Sequence, residues 1–388
     1  MKKASLSIKG NIRQYVMVMA LAIVIILFQI LTKGVLLKPL NISNLISQNA
    51  YILILAVGML LCILTGGNVD LSVGSVAGFV GALSAIMVIK MDVPVFIAIF
   101  ISILLGLLIG MWQGLWIAYV GVPAFIATLA GMLVFRGLTL VVLQGTSLAP
   151  MPDAYTFLAS GFIPGIATVG GKNLLAILVG ILASALYIVN ELNKRRNKRK
   201  YGFEVSSLST FLPVTIGIVV VVNAFTFALA SYKGLPTVLL VVVALVIIYT
   251  FITSKTIPGR HIYAFGGNPK AASLSGVNTK KVMFWVYANM GMLAAVAGII
   301  FTGRLNSATP KAGVNFELDA IAACFIGGAS TSGGVGTIIG AMVGGLLMGV
   351  LNNGMSIMGI SIDWQQAIKG FVLLAAVAFD VYSKSKSK

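Results

Sequence analysis

Apolar runs of about twenty residues follow one another along almost the whole chain, separated by short polar segments. A membrane-crossing helix needs roughly 20 mostly apolar residues, within a tolerated range of about 17–25. Runs at 15–32, 44–64, 71–89, 93–119, 123–143, 174–190, 211–231, 235–254 and 282–303 have that character. A short apolar piece at 320–328, a glycine-rich run at 337–358 and a last candidate at 364–382 complete the series. The pattern predicts an all-α fold, a polytopic transmembrane helical bundle of about 10–12 spans, organised as one permease-like domain over 1–388. The 320–328 piece is too short to cross alone. It is either a half-helix or part of a broken span, which is tolerated where the backbone is buried in protein.

Composition agrees: 59% of residues are hydrophobic and 9% charged, against roughly 25% charged in a soluble domain. The net charge of +18 would suggest nucleic acid in a soluble protein. Here, however, the basic residues collect between apolar runs, as membrane orientation requires. Placing the N-terminus in the cytoplasm puts eighteen Lys and Arg on that side: four near the start, six in 194–200, five in 255–281 and three in the tail. The other face receives Lys33, Lys38, Lys90, Lys172, Lys233, Arg304 and Lys311, with Arg136 and Lys369 inside spans. The bias predicts both termini in the cytoplasm. The first apolar run carries no small-residue cleavage site after it and reads as an uncleaved span.

Several chemistries are missing. Cys62 and Cys324 both lie in apolar segments and His261 is the one histidine, so neither a disulfide framework nor a metal site is expected. The phosphate-cradling pattern G-x-x-x-x-G-K-[ST] is absent, and the basic loop at 191–210 and the loop at 255–281 are too short for a nucleotide-binding domain. The second of these loops contains the informative stretch Gly266-Gly267-Asn268-Pro269-Lys270-Ala271-Ala272-Ser273-Leu274-Ser275-Gly276-Val277-Asn278. Asn268 suits an N-cap, Pro269 the first helical position and Gly276 a left-handed stop. So short a helix would fray alone in water, and its face is too polar to lie on lipid. It is expected to dock against a partner protein.

Read with its flank Gly259-Arg260-His261-Ile262-Tyr263-Ala264-Phe265, this stretch resembles the coupling loop of sugar importers of the ATP-binding-cassette class. The resemblance is to the permease family of the ribose, galactose, arabinose and xylose systems. It extends to Gly66-Gly67-Asn68-Val69-Asp70-Leu71-Ser72-Val73-Gly74-Ser75, to Val122-Pro123-Ala124-Phe125-Ile126-Ala127-Thr128-Leu129-Ala130-Gly131-Met132 and to Phe135-Arg136-Gly137. Further along, Leu318-Asp319-Ala320-Ile321-Ala322-Ala323-Cys324-Phe325-Ile326-Gly327-Gly328, Gly333-Gly334-Val335-Gly336 and Leu351-Asn352-Asn353-Gly354-Met355 continue it. The basic insert at 194–200 and the extra spans before the coupling loop are similar to the xylose and multiple-monosaccharide branch. The resemblance implies the non-enzymatic membrane subunit of a monosaccharide importer, a multi-pass protein of the plasma or inner membrane. It also implies a homodimer, an extracytoplasmic sugar-binding protein, and cytoplasmic ATPase subunits that hold ATP–Mg while this chain binds no cofactor. The ATPases would grip Asn268, Pro269, Lys270, Ala271, Ala272, Ser273, Leu274, Ser275 and Gly276.

Candidates for the translocation path are Gln48, Asn49, Asn68, Asp70, Ser72, Gln113, Arg136, Asn289, Asn352 and Asn353, with Trp112 and Trp116 as stacking platforms. Paired donors and acceptors beside an apolar face suit a sugar, although each residue also reads as an interhelical hydrogen bond. Asp70 is a functional candidate because a carboxylate near the membrane is costly unless paired. It reads equally as a helix cap, and pairing with Arg136 is a further expectation. Arg304, Asn306, Lys311, Asn315, Glu317 and Asp319 are placed in an outer segment that could meet a binding protein or simply be solvated. The glycine sets 106/110/114 and 336/340/344/345/349 suit either internal packing or a dimer face. The alternative function is an ion-coupled secondary sugar transporter. Such carriers place ionisable groups near the midplane, whereas the nine acidic residues here fall almost entirely at span ends or in loops.

Overall fold

The computed structural model describes residues 2–205 and 207–385; Lys386 and Lys388, counted above in the basic tail, lie outside the described residues. Two compact units emerge, one comprising Met1–Leu36, Leu45–Ser160 and Val238–Lys388, the other Leu37–Asn44 and Gly161–Thr237.

In chain order the first helices are α1 (Lys2–Leu31), α2 (Pro39–Leu64), α3 (Val73–Ile89), α4 (Val95–Leu115), α5 (Ala124–Leu143) and α6 (Asp153–Ser160), all in the first unit except residues 39–44 of α2. A π-turn, Trp116–Val120, extends α4 until Gly121 ends it at φ 88°. In the second unit a two-stranded ribbon, β1 (Thr168–Val169) with β2 (Lys172–Asn173), precedes α7 (Leu174–Lys200) and α8 (Leu208–Ala230). Helix α7 continues through the basic residues, so 191–200 is helical where the sequence suggested a loop; Lys and Arg are good helix formers. Back in the first unit follow α9 (Thr237–Lys255), α10 (Ile257–Gly267), α11 (Pro269–Leu274), α12 (Thr279–Leu305), α13 (Phe316–Ile326), α14 (Ile338–Ile357) and α15 (Ile362–Ser385).

Eight helices among the described residues are long and apolar enough to cross a membrane. Their burial is unequal: the apolar windows of α2, α14 and α12 are 83%, 78% and 67% buried, against 17% for α7 and α8. A helix apolar all round and buried all round belongs to a core. Lipid gives no hydrophobic reason for helices to associate, so close approach depends on small residues. Gly106, Gly110 and Gly114 of α4 lie against the backbone of α12 at Gly291, Tyr287, Ala288 and Phe284. Gly340 and Gly344 of α14 lie against Gly327 and Ala323 at the end of α13. Both glycine sets therefore serve packing within the chain.

One arrangement occurs twice. A long helix, an irregular stretch, a shorter helix and two more helices form α2, 65–72, α3, α4 and α5, and again α12, 306–315, α13, α14 and α15. Each irregular stretch leads into an Asn-x-acid-Leu sequence, Asn68-Val69-Asp70-Leu71 and Asn315-Phe316-Glu317-Leu318. The short helices are exchanged between halves. Helix α3 runs beside α12, with Gly298 against Ala77 and Gly81 against Thr302. Helix α13 runs beside α2, where the Cys324 thiol donates to the Ala56 carbonyl at 3.3 Å.

Most of the 320–328 piece lies in α13. Helix α13 has 11 residues, about 16 Å at 1.5 Å per residue, roughly half of a hydrocarbon core. Both cysteines are buried and free, as their apolar settings implied.

Substituting Gly110 by Val should lower the thermal unfolding midpoint of the detergent-solubilised chain by an amount equivalent to about 1–3 kcal/mol, because its Cβ position is filled by α12 backbone. Gly137→Ala, where a Cβ meets nothing within 4 Å, should leave that midpoint unchanged.

Candidate functional site

The polar loop folds as three capped helices in series. Thr256 caps α10 by accepting from Gly259 N. Asn268 Oδ1 caps α11 by accepting from Ala271 N at 3.0 Å, with Pro269 next in the chain. Gly276 at φ 85° turns the chain, and Val277 N donates back to the Ala272 carbonyl at 3.0 Å. Asn278 then caps α12 through Lys281 N at 2.9 Å. Within α11, Ala272 is buried while the Leu274 side chain is 90% exposed. Ile257 at the start of α10 is also exposed, at 58%.

This lobe is joined to the interrupted spans. Tyr263 Oη donates to the Gly336 carbonyl at 2.7 Å, and Gly334 N donates to the Leu64 carbonyl at 3.0 Å. Gly266 leaves no room for a side chain against Leu64 and Gly334, and Gly333 lies equally close to Gly66. Gly333 and Gly334 have φ 80° and 70°, the region that favours glycine. Three chain segments, 64–67, 265–266 and 331–336, thus meet backbone to backbone.

The sequence candidates fall into separate groups. Asp70 and Ser72 are buried, and Asp70 Oδ1 accepts from Ser72 N at 2.9 Å and from Ser72 Oγ at 2.6 Å. Gln113 Nε2 donates in turn to Ser72 Oγ at 2.6 Å. Asn68 Nδ2 bonds the Thr65 carbonyl at 2.6 Å and helps shape the same turn. Asn353 donates to Gln48 Oε1 at 3.4 Å, Asn49 donates to the Leu45 carbonyl at 2.8 Å, and Asn352 Oδ1 is buried without a hydrogen bond. Asn289 accepts from Tyr249 Oη. Trp112 is partly exposed and meets Phe135 edge-on, and Trp116 is similarly exposed.

Two expectations need correcting. Arg136 does not pair with Asp70; its guanidinium lies 3.8 Å from Glu317 Oε1, while Asp70 is occupied by its own hydroxyl and amide donors. Nor do Glu317 and Asp319 belong to a solvated outer segment, since they are 5% and 3% exposed. They open α13, where carboxylates favour the positive end of the helix. Asp319 Oδ1 accepts from Lys369 Nζ at 2.9 Å and Oδ2 from Tyr51 Oη at 3.1 Å. The acidic head of α13 is thus held between cations from α5 and α15. Reading the sequence named Arg136, Glu317 and Asp319 separately but did not bring them together, and it gave Lys369 no part. The signal was present: Arg136 and Lys369 stand within apolar stretches of the sequence, where a cation calls for a partner.

Long apolar helices, interrupted spans and a capped docking lobe define a polytopic membrane transport subunit. Residues 41–377 match the family described as the branched-chain amino acid transport system / permease component, and the chain belongs to that family. It is 40% identical to the xylose transport system permease protein XylH of Haemophilus influenzae over 97% of this chain and 98% of that protein. Identity to the Escherichia coli K12 protein of the same name is 37%, over 97% and 94%. The ribose import permease protein RbsC of Bacillus subtilis is 37% identical over 93% of this chain and 91% of its own. No solved structure matches the chain.

Ser72→Ala should remove the hydroxyl donor from a buried carboxylate and cost about 1.5–3 kcal/mol, read as a lower unfolding midpoint in detergent. Adding Asp70→Asn to that variant should restore part of the loss by removing the charge.

Proposed function

We infer that this chain is the transmembrane subunit of an ATP-binding-cassette importer that carries a monosaccharide, xylose or a related pentose or hexose, across a cell membrane into the cytoplasm. The observation that carries the mechanism is the α10–α11 lobe with Leu274 at its tip. In this reading both termini and the lobe are cytoplasmic, two copies of the chain form the path, and a partner ATPase receives Leu274. ATP–Mg is held by the partners, and a separate sugar-binding protein delivers the substrate on the opposite face.

Force has a short route inward. Movement of α10 is transmitted through Tyr263 to the Gly336 carbonyl and through the Gly266–Gly334 contact into the 327–337 segment. That segment ends α13, whose other end is the acidic head beside Arg136 and Lys369. Backbone-to-backbone contacts suit this task because they have no rotamers in which a displacement could be absorbed. Closure of the ATPases would therefore tilt α13 and alter the polar groups around its head.

With partner ATPase and binding protein in liposomes, the unsubstituted chain should support xylose-stimulated ATP hydrolysis and ATP-dependent uptake. Leu274→Asp should reduce both by at least about tenfold while the chain still purifies as a folded species. Uptake without ATP, or an unaffected Leu274→Asp variant, would instead favour an ion-coupled carrier.

A further inference from the structure

A pocket of about 240 Å³ opens beside the head of α13, its wall including Asn315, Leu318, Asp319, Gln366, Lys369 and Leu373. Pockets for drug-sized ligands run to roughly 300–1,000 Å³, so this one suits a single small molecule. Its lining mixes the Asp319–Lys369 pair and the amides of Asn315 and Gln366 with Leu318 and Leu373, and most of its surface is apolar. A carboxylate, an ammonium and two amides supply both donors and acceptors.

The position makes the polarity informative. Lys369 lies seven residues into α15, which begins at Ile362, or about 10 Å along the helix. Gln366 is exposed and Lys369 partly exposed on that helix, so their polar groups are open to a polar ligand. On another side of α13's first turn, Glu317 Oε2 and Arg136 Nη2 are buried without hydrogen bonds. The region thus holds more polar capacity than the chain itself uses.

We propose that this pocket is a waystation for one monosaccharide during import. Sugar hydroxyls replace part of the Asp319–Lys369 pairing and bond to Gln366 and Asn315, while an apolar face of the ring rests on Leu318 and Leu373. The site rests on the importer reading. Occupancy is weak and brief, because hydroxyls that reach Asp319 or Lys369 displace an ion pair already made.

The test uses the complete reconstituted importer. Asp319→Asn and Lys369→Met are combined, so that neither charge is left buried alone. The expected result is xylose taken up per ATP hydrolysed reduced about tenfold or more. A second readout places a thiol at Gln366→Cys, native Cys62 and Cys324 being buried. A charged, membrane-impermeant thiol reagent should modify it, and xylose with binding protein should slow that reaction several-fold. Phe371→Cys, on the same helix and 73% exposed in the chain, should show no xylose protection. Unchanged uptake in the double variant, or an unreactive Gln366→Cys, overturns the waystation. Parallel loss of hydrolysis and uptake also overturns it and assigns the pair to holding α13 in place. Absence of ATP-driven uptake by the unsubstituted chain would defeat the importer reading itself.

Discussion

Backbone amides that leave a helix inside a membrane must find partners in protein, because lipid provides none. This chain breaks its helices at 65–72, 306–315 and 327–337, and much of the surrounding packing answers that requirement. Ser72 and Gln113 close over the first break, and Leu64 receives the Gly334 amide from the third. Helices α2, α12 and α14 are enclosed because they wall these segments in, whereas α7 and α8 retain broad apolar surfaces. The breaks are also where the polar chemistry is concentrated. A continuous helix has no spare backbone groups and no sharp change of direction; an interrupted one has both.

Charge inside the bundle obeys the same economy. Each buried carboxylate has a distinct solution. Asp70 is neutralised by no cation and relies on a hydroxyl and an amide, Asp319 has a lysine and a tyrosine, and Glu317 faces an arginine at a looser 3.8 Å. The loosest of the three adjoins the broken helix and leaves an oxygen unbonded. A transport protein needs such a place, since a fully satisfied network would resist every rearrangement. The carboxylate that is best served by its own turn, Asp70, is the better candidate for a fixed point.

The helices were legible in the sequence because hydropathy over twenty residues is a strong signal, and the ends of α11 because Asn268 caps through its side chain and Gly276 takes a left-handed backbone that the lack of a Cβ permits. The short helix α11 was visible for that reason, whereas α10 before it was not. The head of α13 was not. Glu317 and Asp319 stand among Asn, Lys and Gly, and local composition there is indistinguishable from a solvated loop. Only partners far along the chain, Arg136 and Lys369, bury them. Asp70 was misassigned to Arg136 for the converse reason: matching opposite charges ignores the hydroxyl two residues away, which needs no tertiary search. The doubled Asn-x-acid-Leu sequence was also present, but four residues carry too little weight until the helices around them are seen to correspond.

The exchange of short helices between halves bears on how such a chain is made. During synthesis α3 emerges long before α12, the helix whose Gly298 and Thr302 it packs against. Helix α2 likewise waits for α13. The first half therefore enters the bilayer with its small-residue faces and the Asp70 turn incompletely enclosed, and it reaches its final packing only when the last third of the polypeptide arrives. A chain ending before α12 would leave those faces of α2 and α3 without the partners they have in the full chain.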